Sequence, residues 1–350
     1  MGSPFAILTT DFHLTEKQED QYRFNIFPWL AARYSRSSSV RAVFLLGDLT
    51  DRKDNHSAWF VNKVVSCLRD LAGHFDVFIL KGNHDFADPN SPFFEFVNHV
   101  AIDRVSFYTS PIKISKIYNG GRQFKFLMLP HTKNPDEDWK DLEFVKSDAI
   151  FMHQTFKGAK AENGMELDGL SPKKFEKYRA KIFSGDIHVP QKVGPITYIG
   201  SPYHIHFGDK FKPRVLIADT DFNTTEEYYP APRKHTVEVR DPTELKTLKT
   251  LREGDWIKVR VLLRRSEFVD WPKHRDAVRK VCEGLGLDLC GTELRELKRV
   301  RLKEDDGEPE QIKEKVRRSP YEVFEQYCRS QNIDHHTHDV GKALLGKEPQ

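Results

Sequence analysis

The sequence predicts an α/β protein in which two packed β-sheets are flanked by helices. Three observations carry that prediction. Strand and helix signals alternate through the first part of the 350-residue chain, the pattern of strands joined by crossover helices. From about residue 105 the rhythm changes to strand on strand, which adds hairpins. Five short motifs also each close an apolar, β-branched or aromatic run: Asp11-Phe12-His13, Gly47-Asp48-Leu49-Thr50-Asp51, Gly82-Asn83-His84-Asp85, His153-Gln154 and Gly185-Asp186-Ile187-His188.

In chain order, the first strand spans residues 5–10. Thr15 with Gln18 forms a capping box that opens a helical stretch through Tyr34. A strand at 43–46 precedes a helix over 57–71, whose buried side takes Trp59, Phe60, Val64, Cys67, Leu68 and Leu71 and which Gly73 stops. After a strand at 77–80, runs at 111–118 and 123–129 flank Asn119-Gly120-Gly121-Arg122, a hairpin turn. A strand follows at 149–152, and Ser171-Pro172 starts a short helix with Ser as cap and Pro at the first helical position. Strands at 181–183, 196–199 and 215–218 complete a main domain of residues 1–232, bounded by Pro230-Ala231-Pro232.

Residues 233–302 read as a small α/β capping domain, with strands at 235–239, 256–263 and 294–302 and a helix at 272–285. A charged linker occupies 303–318. Ser319-Pro320-Tyr321-Glu322 then opens a C-terminal helix, in the region 319–350, with Tyr321, Phe324, Tyr327 and Cys328 on one stripe.

Composition bounds the function. With 38% hydrophobic and 31% charged residues and a mean hydropathy of -0.61, the chain suits a soluble protein with a sizeable core. The net charge of +3 selects no partner. Its distribution is more informative: residues 233–301 hold 18 Lys and Arg against 12 Asp and Glu, leaving the remainder net acidic. A basic region beside an acidic one suits a polyanionic substrate. The four cysteines, Cys67, Cys282, Cys290 and Cys328, show no C-x-x-C spacing and read as reduced thiols of a cytoplasmic protein. No run is long enough for a membrane span, and residues 1–10 lack the pattern of a secretion signal.

The motifs carry the chemistry. A phosphodiester repels nucleophiles by its charge, and two divalent ions about 3.5–4 Å apart overcome this by activating water and neutralising developing charge. Such a pair needs a shared carboxylate and further O or N donors. Asp11, His13, Asp48, Asn83, His153, Asp186 and His188 are of those types and stand at strand ends. In D-x-H, residues two apart on an extended segment face the same side, and Asp186 with His188 repeats the spacing. No thiol intrudes, so manganese, magnesium, iron and zinc all remain open. A turn explains any one motif alone, but not five in order, each after an apolar run. His204-Ile205-His206 repeats a ligand-like spacing, His131 reads as a hydrogen-bonded loop histidine, and His335, His336 and His338 as part of a solvated tail.

In order and spacing these motifs resemble the signature of the calcineurin-like metallophosphoesterase superfamily: D-x-H, G-D-x-x-D, G-N-H-D/E, H and G-H-x-H. Within it the chain is similar to SbcD-type nuclease subunits of double-strand-break repair complexes, bacterial or phage. Met152-His153-Gln154, Ile187-His188-Val189-Pro190-Gln191 and Tyr198-Ile199-Gly200-Ser201-Pro202-Tyr203 ahead of Phe207-Gly208-Asp209 carry that likeness, together with the basic cap and the terminal helix. The resemblance implies a four-layer α-β-β-α sandwich. It implies one metal on Asp11, His13, Asp48 and His188, and a second on Asp48, Asn83, His153 and Asp186. His84 would stand unligated beside the scissile phosphate, Asp48 would bridge, and Asp85 and Asp51 would orient ligands. The turn holding His204 and His206 would shape the site without binding metal.

One departure is that G-H-x-H reads Gly185-Asp186-Ile187-His188. A carboxylate there favours harder ions, hence manganese or magnesium over zinc. The implied activity is a DNA nuclease, a 3′-to-5′ exonuclease on duplex ends and also an endonuclease. The implied partners are DNA, an SbcC-type ATPase on the terminal helix, and a second copy of the chain through residues 57–72 or 93–97. Arg264, Arg265, Lys273, Arg275, Arg279 and Lys280 are the candidate DNA contacts of the cap. The competing readings are an esterase for a nucleotide or other small phosphoester, and a metal-poor scaffold.

Overall fold

Parallel strands covered on both faces run largely apolar, as residues 5–8, 42–45 and 77–80 do. The structure, a computed structural model, describes residues 2–35, 39–100, 102–118, 121–140 and 147–297. Asn119 and Gly120 of the expected hairpin turn, the linker, the C-terminal helix with Cys328, and His335, His336 and His338 lie outside the described residues.

The first sheet takes β1 (Pro4–Thr9), β2 (Ala42–Leu45), β3 (Asp76–Leu80) and β4 (Val105–Tyr108), all parallel in that order. A second sheet holds β5 (Ile112–Tyr118), β6 (Arg122–Leu129), β7 (Ala149–His153), β8 (Lys181–Gly185), β9 (Gln191–Val193) and β10 (Ile196–Tyr198). Its β6, β7, β8 and β10 are parallel, with antiparallel β5 and β9 at the edges. The chain then returns to the first sheet as β11 (Val215–Asp219), antiparallel to β1, and β12 (Thr224–Glu227). The hairpin expected around residue 120 is present, with Tyr118 paired to Arg122.

Period-two alternation divides the side chains between layers. Phe124, Phe126 and Met128 of β6 and Phe151 of β7 face Phe5, Phe44 and Phe78 of the first sheet. Phe44 stacks at 4.1 Å on Phe151 and 4.8 Å on Phe78, so the sheets meet through an aromatic cluster. Ile7, Val43 and Leu45 point the other way, onto α1 (Ile26–Tyr34) and α2 (Ala58–Ala72). Leu127, Ile150 and Ile182 line the outer face of the second sheet. The cover there comes from Trp139, Phe156 and Phe175 on loops and short turns. Two further short helices are α3 (Phe96–His99) and α4 (Pro135–Asp138).

Four local readings need correction. The capping box at Thr15 and Gln18 does not form. Thr15 Oγ1 instead donates to Asp20 Oδ2 at 3.1 Å and accepts from Lys17 N at 3.2 Å, and a 3₁₀ turn, Gln18–Asn25, precedes α1. Ser57 does cap α2, accepting from Phe60 N at 3.2 Å. Trp59, however, is 51% exposed, with Phe24 packed against it in a T-shaped pair at 6.2 Å. At Ser171 the cap makes no side-chain hydrogen bond, and the helix is a single 3₁₀ turn, Pro172–Phe175.

The fourth correction falls in the C-terminal sheet. Its three strands, β13 (Lys234–Val239), β14 (Trp256–Leu263) and β15 (Asp288–Glu296), are all parallel, and α5 (Trp271–Gly284) covers one face. The last strand begins at Asp288, not at 294. The tight turn after α5, with Gly286 at φ 64°, returns the chain at once to pair Asp288 with Trp256. The strand's polar, half-exposed residues hid it from an apolar pattern. This sheet is tied to the rest by Lys234, whose buried Nζ donates to Asp20 Oδ1 at 3.3 Å and Ile205 O at 3.1 Å. Among the described residues no helix is long and apolar enough to cross a membrane. Cys67, Cys282 and Cys290 are free thiols.

Candidate metal centre

Ligands of open α/β sheets gather where parallel strands end. β1 delivers Asp11 and His13, β2 Asp48 and Asp51, β3 Asn83 to Asp85, β7 His153, and β8 Asp186 and His188. The loops are stitched by backbone bonds: Asp11 N to Gly47 O at 3.1 Å, His13 N to Asp48 O at 2.9 Å. Asp85 is fully buried and gives both oxygens to backbone amides, of Thr50 at 3.1 Å and Gly82 at 2.8 Å. It therefore fastens one loop to the other. Four candidate donors, Asp11, His13, Asp48 and Asp186, have positive φ. Such backbone is unfavourable for residues with a Cβ and persists where surrounding structure enforces it, as at functional sites. Gly82 is required for a different reason, since a Cβ there would collide with the Asp48 carboxylate.

The donors converge. His13 Nε2 lies 3.1 Å from His188 Nε2 and 3.5 Å from Asp48 Oδ2. His153 Nε2 lies 2.9 Å from Asn83 Oδ1, 3.4 Å from Asp48 Oδ1 and 3.8 Å from Asp186 Oδ1. Ligand atoms of Asp11, His13 and His188 fall within 4.8 Å of one another, as do those of Asp11, Asp48 and His153, and of His13, Asp48 and His84.

Three details fit cations at this point. His13 Nδ1 faces Asp51 Oδ1 at 3.3 Å and His188 Nδ1 faces Glu162 Oε1 at 2.9 Å. A proton on each Nδ1, beside its carboxylate, leaves the two Nε2 lone pairs confronting each other and calls for a shared electrophile. Asp11 Oδ2 is buried without a hydrogen-bond partner among the described residues, a costly state for a carboxylate. One end of the Asn83 amide meets only acceptors, both Asp48 oxygens at 3.2 Å and His153 Nε2 at 2.9 Å. An NH₂ satisfies them in the bare protein, and the amide oxygen takes that place around a cation.

The electrostatics agree with a crowded acidic cluster. Burial pushes the Asp11 carboxyl up, and burial with the neighbouring Asp48 charge pushes Asp85 up to about 7. At Asp48 burial acts upward too, but the imidazoles of His153, His13 and His84 together outweigh it and hold the carboxyl well below its ordinary range. Burial pulls His153 down, and Asp48 with Asp11 and Asp186 more than reverses that. His188 is likewise lifted against burial to about 9, chiefly by Glu162.

Glu162 and Thr155 were not legible as site residues. Thr155 donates to Asp186 Oδ2, and Glu162 sits on a loop 26 positions before its partner His188. Neither belongs to a motif. His204 is engaged elsewhere: Nδ1 accepts from Lys234 N at 3.0 Å and Nε2 donates to Phe211 O at 2.9 Å. His206 is exposed, with its ring 6.1 Å from His188. His131 was expected to be hydrogen-bonded, but its buried Nδ1 has no partner among the described residues. Its loop seats the ring between Phe86 and His153 instead. The six basic residues of the cap are all exposed, on α5 and the turn before it. Arg265 pairs with Glu296, Lys273 with Asp270 and Arg275 with Asp276.

The calcineurin-like phosphoesterase family matches residues 6–190, over half of the chain and every candidate donor. The chain belongs to that family. It is a metallophosphoesterase, and its chemistry is metal-dependent hydrolysis of phosphoesters. A comparison with curated proteins returns no match.

Proposed function

We propose that this metallophosphoesterase is a manganese- or magnesium-dependent DNA nuclease, a 3′-to-5′ exonuclease on duplex ends and also an endonuclease, serving as the nuclease subunit of an SbcCD-like repair or recombination complex. The observation that carries the reading is the setting of the donor cluster. It lies at an open sheet edge on a cleft of about 890 Å³, ample for a strand, in a chain whose cap exposes basic side chains.

Asp11, His13, Asp48 and His188 would hold one ion, and Asp48, Asn83, His153 and Asp186 the other. Bound there, two ions supply an activated water and offset the charge of the phosphate. The protein's own part is orientation and proton transfer. Asp51 and Glu162 fix the His13 and His188 rings. His84 Nδ1 donates to Asp51 O at 3.2 Å, which leaves Nε2 as the free nitrogen to stabilise the phosphate or protonate the leaving oxygen. The Asp186 carboxylate favours hard ions. Full activity with stoichiometric zinc and none with manganese would refute that preference.

The exposed Arg264, Arg265, Lys273, Arg275, Arg279 and Lys280 would meet the DNA backbone, giving salt-sensitive affinity without sequence preference. Residues 319–350 would dock an SbcC-type ATPase. Deleting 317–350 is expected to abolish that association and spare manganese-dependent cleavage. The deciding experiment uses end-labelled linear duplex DNA with manganese or magnesium. Wild type is expected to release labelled mononucleotide, while Asp48→Asn and His84→Ala lose at least about a hundredfold in rate. Hydrolysis of small esters with intact DNA would sink the nuclease reading.

A further inference from the structure

The cleft beside the donor cluster contains a cation that the metal chemistry does not use. Lys81, immediately after β3, is buried with 6% of its surface exposed. Among the described residues no carboxylate comes within 4.0 Å of its ammonium. Its Nζ donates to Pro89 O at 3.2 Å and stands 5.1 Å over the Phe86 ring, which leaves donor capacity unspent. Asp138, which lines the same cleft, attracts the ammonium only from beyond 4.0 Å, as do Glu95 and Asp85, and accepts from the Thr132 hydroxyl.

His131 is fastened to the same spot. Its backbone N–H donates to Lys81 O at 2.9 Å, and its buried Nδ1 has no partner among the described residues. The ring lies 6.1 Å from that of His153, beside the donor cluster. Lys81 and His131 line one cleft with Asn83, His84 and Asp186.

A buried ammonium with no carboxylate in ion-pair contact is costly to keep, and an imidazole nitrogen without a partner adds to the cost. Both costs are removed when an anion enters. The phosphate under attack is held by the donor cluster itself, which leaves Lys81 for a further anion. We propose that Lys81, with His131 beside it, forms a second anion subsite that holds the phosphate adjacent to the one being hydrolysed. The substrate class is then a chain of phosphodiesters, a nucleotide strand, in preference to an ester with one phosphate. This deepens the nuclease reading and rests on it.

The test compares p-nitrophenyl thymidine 5′-phosphate with the same ester carrying a 3′-phosphate, on full-length wild-type, Lys81→Met and Lys81→Arg proteins. Wild type is expected to favour the two-phosphate ester. Lys81→Met should lower the ratio of the two kcat/KM values by at least about tenfold, and Lys81→Arg should restore most of it. Binding of a fluorescein-labelled single strand in EDTA gives a readout without turnover. There the salt slope of log affinity should shrink by about 0.7 in Lys81→Met, one phosphate contact. An unchanged ratio in Lys81→Met overturns the subsite, and so does an equal loss on both esters with a lowered melting temperature. Failure of the nuclease reading looks different. Linear DNA would survive wild type, while the two-phosphate preference and its collapse in Lys81→Met would persist and uphold the subsite.

Discussion

His188 needs a proton on Nδ1 and none on Nε2 if it is to ligate a cation, and Glu162 at 2.9 Å sets that tautomer. The His188 hydrogen bond in turn draws Glu162 down to about 2. Glu162→Gln keeps the shape and removes the charge. Manganese affinity by titration calorimetry is expected to fall about 10- to 100-fold. The sign of the pH dependence follows from the raised His188. Its proton must leave for an ion to bind, so wild-type affinity should rise with pH until about 9. In Glu162→Gln the rise should level off at lower pH. An affinity indifferent to both changes would mean that His188 is no ligand.

The two edges that carry the candidate donors belong to different sheets, and elements far from the cluster hold them in register. Asp11, Asp48 and Asn83 follow strands of the first sheet, while His153, Asp186 and His188 follow strands of the second. Between them stand Phe44, Phe78, Phe126 and Phe151, all essentially inaccessible to solvent. Phe44→Ala leaves a cavity at their centre and should cost about 3–5 kcal/mol in urea unfolding. It should also weaken manganese binding, because the sheets lose the contact that fixes their spacing. Unfolding cost without any change in metal affinity would show that the loop bonds alone hold the centre. At this scale the sequence was a good guide to strand and helix positions, since burial writes its period directly into side-chain type. It was a poor guide to capping, where Thr15 found Asp20 as a competing partner, and to β15, whose polar residues follow pairing geometry and not a core.

For the whole molecule, the acidic cluster is a liability that cations relieve. Asp11, Asp48, Asp85 and Asp186 are packed around a few imidazoles, and burial lifts Asp11 and Asp85. Anything that binds the folded state alone stabilises it, by about 2.7 kcal/mol at a hundred times Kd. EDTA is therefore expected to lower the melting temperature by several degrees at neutral pH, and excess manganese to restore it. For a chain of this size that free energy corresponds to about 4 °C, readable by scanning calorimetry. A melting temperature indifferent to EDTA and manganese would exclude a stabilising metal centre.

The sequence by itself determined the α/β class, the run of motifs at strand ends and the donor types, because strand periodicity and metal chemistry are both written in local residue order. It could not reveal Glu162 behind His188, Thr155 against Asp186, or the buried Lys81 beside His131. Those relations join residues with no fixed spacing, and only the packing of one sheet on the other, with their loops folded over a common edge, brings them within reach. Tertiary structure also decided which histidines are spent on hydrogen bonds, as His204 is, and which keep a nitrogen free.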